Sequence, residues 1–128
     1  MKNHSFILLI DDDQITNYLT QRLLSRLSPQ AIVKVANNGE EALAIIKEIA
    51  DVDHKCPDLI LLDVNMPVMN GIEFMSALSD SNYRDHCRIV AVTTSSNKND
   101  FAALRKYGIE EIILKPLTSS RVEELLAD

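Results

Sequence analysis

Several features that commonly carry chemistry are scarce or absent in this chain. Its 128 residues include only two cysteines, Cys56 and Cys87, and these lack the spacing of a metal-binding pair. Both fall near the starts of expected strands, so reduced thiols in a cytoplasmic protein are the simplest expectation. No apolar run is long enough to span a bilayer, which argues against a membrane-embedded chain. Met1-Lys2-Asn3-His4 leads directly into an apolar run, leaving no room for a signal peptide. The formal net charge of −6 has the wrong sign for direct binding of nucleic acid. His4, His54 and His86 are scattered, and no nucleophile–base pair can be built from them. Repeats, low-complexity tracts and linkers are also missing. The length fits one domain over 1–128, and 46% hydrophobic residues make it globular rather than disordered.

What the chain does contain is a set of short aliphatic runs that end in charge. Phe6-Ile7-Leu8-Leu9-Ile10 runs into Asp11-Asp12-Asp13, Leu59-Ile60-Leu61-Leu62 into Asp63, and Ile112-Ile113-Leu114 into Lys115-Pro116. Non-alternating runs of this length suit parallel strands buried on both faces. In an open α/β sheet, ligands bind beyond the carboxyl ends of the strands. If these strands are neighbours, Asp11, Asp12, Asp63 and Lys115 converge there. Crowded carboxylates repel one another and resist desolvation, so they coexist best around a cation. Hard oxygen ligands select Mg²⁺, with Mn²⁺ as the alternative.

The rest of the chain alternates strand and helix. Strands are expected over Phe6–Asp11, Ala31–Ala36, Asp58–Asp63, Arg88–Thr94 and Ile109–Lys115. A first helix covers Gln14 to Leu27, with Ile15, Tyr18, Leu19, Arg22, Leu23 and Leu27 as a stripe at spacings of three and four. Asp13 is its expected N-cap. Asn37-Asn38-Gly39 is a turn before a helix over Glu40–Ala50, and Asp51–Pro57 is a loop. A short helix follows over Ile72–Leu78, opened by Gly71. Asp80–Cys87 is a polar loop, Ser95–Asn99 another, and Asp100–Tyr107 a helix closed by Gly108. The last helix is capped near Thr118 or Ser119, with Val122, Leu125 and Leu126 facing inward. Five βα units imply a doubly wound parallel α/β sheet, flavodoxin-like, in the order 2-1-3-4-5. Its switch point lies between the strands that carry the Asp cluster and Asp63.

Taken together, LLIDDD at 8–13, LILLDVNMPVMNG at 59–71, VAVTTSS at 90–96 and ILKPL at 113–117 resemble the receiver domain of two-component response regulators. The resemblance covers essentially the whole chain, and with no output domain expected the nearest analogues in the family are stand-alone chemotaxis-type regulators and phosphorelay intermediates. It implies that Asp63 is the phosphoacceptor and Asp12 a direct ligand of Mg²⁺. Asp11 is the acidic neighbour, often acting through water, and Asn65 offers the metal a backbone carbonyl. Thr93 is the hydroxyl that follows the phosphoryl group, Lys115 the ammonium that pairs with it, and Pro116 is preceded by a cis bond. The implied partners are a histidine kinase or histidine phosphotransfer protein as donor and a separate downstream protein as reader, with the chain a monomer or weak dimer. The implied role is a switch that assists its own phosphorylation and dephosphorylation, rather than an enzyme acting on another substrate. Elementary chemistry agrees. A carboxylate attacks a phosphoryl group only when charge is neutralised, which a divalent cation and Lys115 can do.

Three positions depart from the family pattern. Ile112 stands where a Tyr or Phe usually reports phosphorylation, Thr94 where a small residue follows the hydroxyl, and Leu117 where Phe is common. These departures bear on signal output, which is then expected to run through Thr93, Thr94 and Lys115 into Ser95–Asn99. Two other classes compete. Asp11-x-Asp13 has some similarity to the Asp-x-Asp nucleophile motif of haloacid-dehalogenase-type phosphatases, which would make Asp11 the modified residue. A degenerate receiver acting only as a binding module would fail to bind Mg²⁺.

Overall fold

The structure is a computed structural model that describes residues 6–53, 56–81, 83, 87–94 and 97–127. The strands are β1 (Phe6–Ile10), β2 (Ile32–Ala36), β3 (Leu59–Leu62), β4 (Arg88–Thr93) and β5 (Glu111–Leu114). The helices are α1 (Gln14–Leu27), α2 (Gly39–Asp53), α3 (Gly71–Ser79), α4 (Lys98–Lys106) and α5 (Ser119–Ala127). All strand pairs are parallel, and their order is β2-β1-β3-β4-β5, as expected for right-handed crossovers about a switch point. None of the helices is long and apolar enough to cross a membrane, among the described residues.

The strand alternation sorts the core into two layers. Leu8, Ile10, Ile60, Leu62, Ile89 and Ala91 face one side, where α2, α3 and α4 cover them with Ala42, Ile46, Phe74, Leu78 and Leu104. Ile7, Leu9, Leu59, Leu61, Val90 and Val92 face the other, under Leu24 of α1 and Val122, Leu125 and Leu126 of α5. A period of two carries both sets because both faces of the sheet are covered. Edge strand β2 is covered less completely, and its Ile32 is exposed.

Local chemistry sets the element ends. Asp13 caps α1, its carboxylate accepting from the N–H of Ile15 and the hydroxyl of Thr16. Asn70 and Glu73 form a reciprocal capping box at α3. Gly108, at φ 85°, closes α4 with bonds from its own N–H to Arg105 and from Ile109 to Leu104. That cap occupies the Ile109 N–H, so β5 begins at Glu111 rather than at Ile109. Helix α2 continues to Asp53, beyond the expected end at Ala50. No Gly or Pro interrupts Asp51-Val52-Asp53, and the first breaker is Pro57.

The first helix corrects the expected stripe. Ile15, Tyr18 and Leu19 are 71%, 57% and 55% exposed, whereas the buried residues of α1 are Asn17, Thr20 and Leu24. Only Leu23 and Leu27 of the apolar set pack against the core. Asn17 turns inward because its side-chain N–H₂ donates to the carbonyl of Asp11, 2.9 Å away, just past the end of β1. We therefore expect Leu24→Ala to lower stability in urea denaturation by about 2–5 kcal/mol. Ile15→Ala and Leu19→Ala should each stay within ~0.5 kcal/mol. A comparable loss from Ile15→Ala would show that this face is buried after all.

Candidate functional site

The backbone ladder places the charged residues. The registers Ile10↔Leu62, Leu62↔Ala91 and Thr93↔Leu114 bring the ends of β1, β3, β4 and β5 to one edge of the sheet. Each key residue beyond a strand is still held by a ladder bond. Asp11 N–H donates to Ala36 (3.0 Å), Asp63 N–H to Ile10 (2.8 Å) and Lys115 N–H to Thr93 (2.9 Å). Their side chains therefore leave a rigid frame rather than a loop. Gly71 adds a close approach from the other side. A Cβ there would lie 2.6 Å from the Asp63 carbonyl oxygen.

These side chains meet as the sequence implies. Ligand oxygens of Asp11, Asp12 and Asp63 all lie within 4.8 Å of one another. The Lys115 Nζ is 2.6 Å from Asp11 Oδ2 and 3.7 Å from Asp63 Oδ2. Asp11 and Asp63 are buried, and Asp12 is exposed. Thr93 is fully buried at the end of β4, and Asn65 is exposed two residues beyond Asp63. The Lys115–Pro116 bond is cis. Ser95 and Ser96 of the expected output loop, the segment Met1-Lys2-Asn3-His4, and His54 and His86 lie outside the described residues.

The electrostatics follow from this packing. Burial, together with repulsion from Asp11, pushes the Asp63 carboxyl up to about 6 against the pull of Lys115. Burial alone would discourage the Lys115 charge. The hydrogen bond to Asp11 and the attraction of Asp11 and Asp63 outweigh it, and the ammonium is held above its usual range. Three carboxylates against one ammonium leave an excess of negative charge in a partly closed site. Their hard oxygens, converging within a few ångströms, fit Mg²⁺ or Mn²⁺. The Asp13 carboxylate is not among the converging ligand oxygens. It is spent on capping α1, and the bond to Thr16 lowers its pKa. The Asp-x-Asp phosphatase reading therefore loses its second carboxylate.

Beside the acidic cluster a cleft of about 350 Å³ opens between α1 and the β5–α5 connection. Leu9, Leu61, Val92 and Leu117 form its apolar wall, Asp63 and Lys115 its charged end, and Leu19 of α1 part of its rim. Thr94 lines the same cleft and is exposed. The sequence pattern does not single out Asn17, Thr20 or the cleft. The spacing Asn17–Thr20–Leu24–Leu27 was the available signal, but it was masked by the more apolar alternative.

Comparison with known proteins places this geometry in a family. The response regulator receiver domain matches residues 7–127. The probable C4-dicarboxylate response regulator DctR of Halalkalibacterium halodurans is 32% identical over 94% of the chain. The chain spans only about half of that relative's length (49%). The polar-differentiation response regulator DivK of Brucella anthropi is 30% identical, with 94% of this chain and 91% of that protein covered. Among solved structures, a two-component response regulator from Legionella pneumophila superimposes with a TM-score of 0.83 at 28% identity, over 94% of each chain. The chain belongs to the response regulator receiver domain family.

Proposed function

We propose that this chain is a phosphoacceptor switch in which Asp63 takes a phosphoryl group from a phosphohistidine of a histidine kinase or phosphotransfer protein. The observation that carries this reading is the Asp63 carboxylate, buried at a strand end with Lys115 3.7 Å away and two further aspartates beside it. Receiver domains are phosphoacceptor switches, and the geometry suits that chemistry residue by residue. Asp63 would attack the phosphorus in line. Lys115, already held between Asp11 and Asp63, would turn toward the incoming phosphoryl oxygens. Thr93 would donate its hydroxyl to another of those oxygens. Asp12, Asp63 and the Asn65 carbonyl would hold Mg²⁺, and Asp11 would act through water. That role suits Asp11, because one of its oxygens takes Lys115 and the other the Asp13 N–H. A divalent cation held by these residues would supply the charge neutralisation that an anionic phosphoryl donor requires. The same groups would assist loss of the phosphoryl group to water, so the switch would promote its own resetting.

The partner reading draws on α1. Ile15, Tyr18 and Leu19 form an exposed apolar face, and Leu19 also lines the cleft that reaches Asp63. A donor that must bring a histidine to Asp63 would cover this face. The downstream reader would use the face formed by α4, β5 and α5. In this reading the switch works in the cytoplasm, where cysteines outside disulfides, such as Cys56 and Cys87, stay reduced.

Intact-mass measurement after exposure to acetyl phosphate and Mg²⁺ should show a phosphoryl adduct mapped to Asp63. Asp63→Asn should gain none. Labelling of that variant at the wild-type level would sink the assignment.

A second expectation concerns charge. The folded pKa of Asp63 lies near 6 against an unfolded 3.8, so the folded state binds this proton more tightly. Without metal, the contribution is favourable at low pH and is lost as pH rises from about 4 through 6. The shift corresponds to at most ~3 kcal/mol. Asp63→Asn should therefore stabilise the metal-free protein at pH 7 by on the order of 1–2 kcal/mol, after loss of the Lys115 attraction. Mg²⁺ should raise the wild-type Tm by mass action, and Asp12→Ala should abolish that response. An unchanged Mg²⁺ response in Asp12→Ala would remove its role as a ligand.

The docking face has its own test. Replacing Ile15 and Leu19 together by Ser should slow phosphotransfer from a protein donor by at least about tenfold, the loss expected for apolar anchors. Labelling by acetyl phosphate should stay at the wild-type rate. Equal slowing of both reactions would place the defect in the site rather than in docking.

A further inference from the structure

The connection from β3 to α3 carries Asn65, and it is tied down in three places. The Gly71 N–H donates to the Val64 carbonyl (2.8 Å), joining the ends of the loop. The Met69 N–H donates to the Pro67 carbonyl (2.7 Å), which closes a three-residue γ-turn around Val68. The Gly39 N–H, at the first residue of α2, donates to the Met69 carbonyl (2.9 Å). Val68 has a φ of 66°. A γ-turn of this hand is rare, and a β-branched residue at positive φ is strained. Val68 is also 74% exposed, so burial of its side chain does not offset the strain. The surrounding ties must hold the turn.

Gly39 is the tie that comes from outside the loop. A Cβ at this position would lie 2.8 Å from Met69 Cγ, 2.9 Å from Phe74 Cβ and 3.0 Å from the Met69 carbonyl oxygen. Helix α2 itself does not need a glycine here. Asn38 caps it, accepting from the Glu41 N–H at 2.9 Å, and alanine would be the better helix former. The first N–H groups of a helix lack intrahelical partners and usually face water. Here one of them grips the loop.

We infer that Gly39 is a positioning residue for the metal side of the acceptor site. By holding the Met69 carbonyl it keeps the Val68 turn closed. The closed turn fixes the path of residues 64–70 and with it the direction of the Asn65 carbonyl. This inference rests on the proposed Mg²⁺ site of Asp11, Asp12, Asp63 and Asn65. It makes α2, which contributes no ligand, a determinant of metal affinity.

The test is calorimetric titration with Mg²⁺, paired with amide exchange in EDTA, on the wild-type chain and on Gly39→Ala, Val68→Gly and Leu43→Ala. Gly39→Ala should weaken Mg²⁺ binding by about tenfold, the low end of losses seen when supporting partners of metal ligands are removed. It should also speed exchange across residues 64–70 without metal. Val68→Gly should raise the metal-free Tm by a few degrees as strain is relieved, yet weaken Mg²⁺ several-fold because the turn is no longer fixed. Leu43→Ala truncates a core-packed side chain of α2 but leaves the Gly39–Met69 backbone bond in place, so it should lower Tm and leave Mg²⁺ affinity unchanged. If Gly39→Ala behaves like Leu43→Ala, with Mg²⁺ affinity within twofold of wild type, the positioning role is overturned. If Gly39→Ala does not fold, unchanged Mg²⁺ affinity in Val68→Gly overturns it instead. A wild-type chain that binds no Mg²⁺ would remove the metal reading and this inference with it, an outcome distinct from wild-type binding that no variant alters.

Discussion

The carboxylates of Asp11 and Asp63, held side by side at the ends of β1 and β3, are the constraint around which this molecule is arranged. Neither can move away, because each backbone is still in the ladder that its strand leaves. Both are buried, so water screens them poorly. A single ammonium, Lys115, reaches both from the end of β5. It compensates them only in part, and burial together with repulsion from Asp11 keeps the Asp63 pKa raised. The site therefore stores a deficit of positive charge. A divalent cation can supply part of that deficit. A phosphoryl group could not approach until it is supplied. In this sense the fold's main electrostatic cost and its proposed function are the same feature.

The parts of this arrangement that depend on chain topology were legible in the sequence. An aliphatic run that ends in Asp or Lys marks a buried strand with a charged carboxyl end. Right-handed crossovers then determine which ends meet. Asp11, Asp63 and Lys115 could thus be brought together without any side-chain information, and they are close in space. The orientation of α1 was not legible in the same way. Its sequence offers two apolar faces, and the one richer in large residues is exposed. The choice is made by a polar requirement. The carbonyl of Asp11 is buried past the end of β1, and Asn17 is the residue that satisfies it. Once Asn17 turns inward, Thr20 and Leu24 follow, and Ile15, Tyr18 and Leu19 are left outside. A hydrogen-bonding need at one carbonyl outweighed a hydrophobic count along the whole helix.

The loop after β3 is a second case in which tertiary contacts override local preference. Val68 favours extended backbone, and nothing in Met66-Pro67-Val68-Met69 suggests a positive φ. The conformation exists because Val64, Pro67 and Met69 are each tied by a backbone bond, one of them from α2. Sequence patterns report what each residue prefers, whereas this turn reflects what its neighbours impose. Such departures concentrate near functional sites, where geometry matters more than local comfort.

Sensing of a modified Asp63 meets a constraint at position 112. An aromatic ring at position 112 could report by swinging between buried and exposed rotamers. Ile112 is partly buried among the side chains on the α2–α4 face, and its short branched chain has no comparable swing. The connection that remains is the backbone. The Lys115 N–H is bonded to the Thr93 carbonyl, so the ends of β4 and β5 are linked at the two residues expected to grip the phosphoryl group. Any shift of Thr93 toward Asp63 must draw on this bond, and beyond it lie Thr94 on one strand and Pro116-Leu117 on the other. Both segments line the cleft beside α1. A displacement of Thr93 would therefore be transmitted through backbone bonds to the lining of this cleft rather than through a rotating ring.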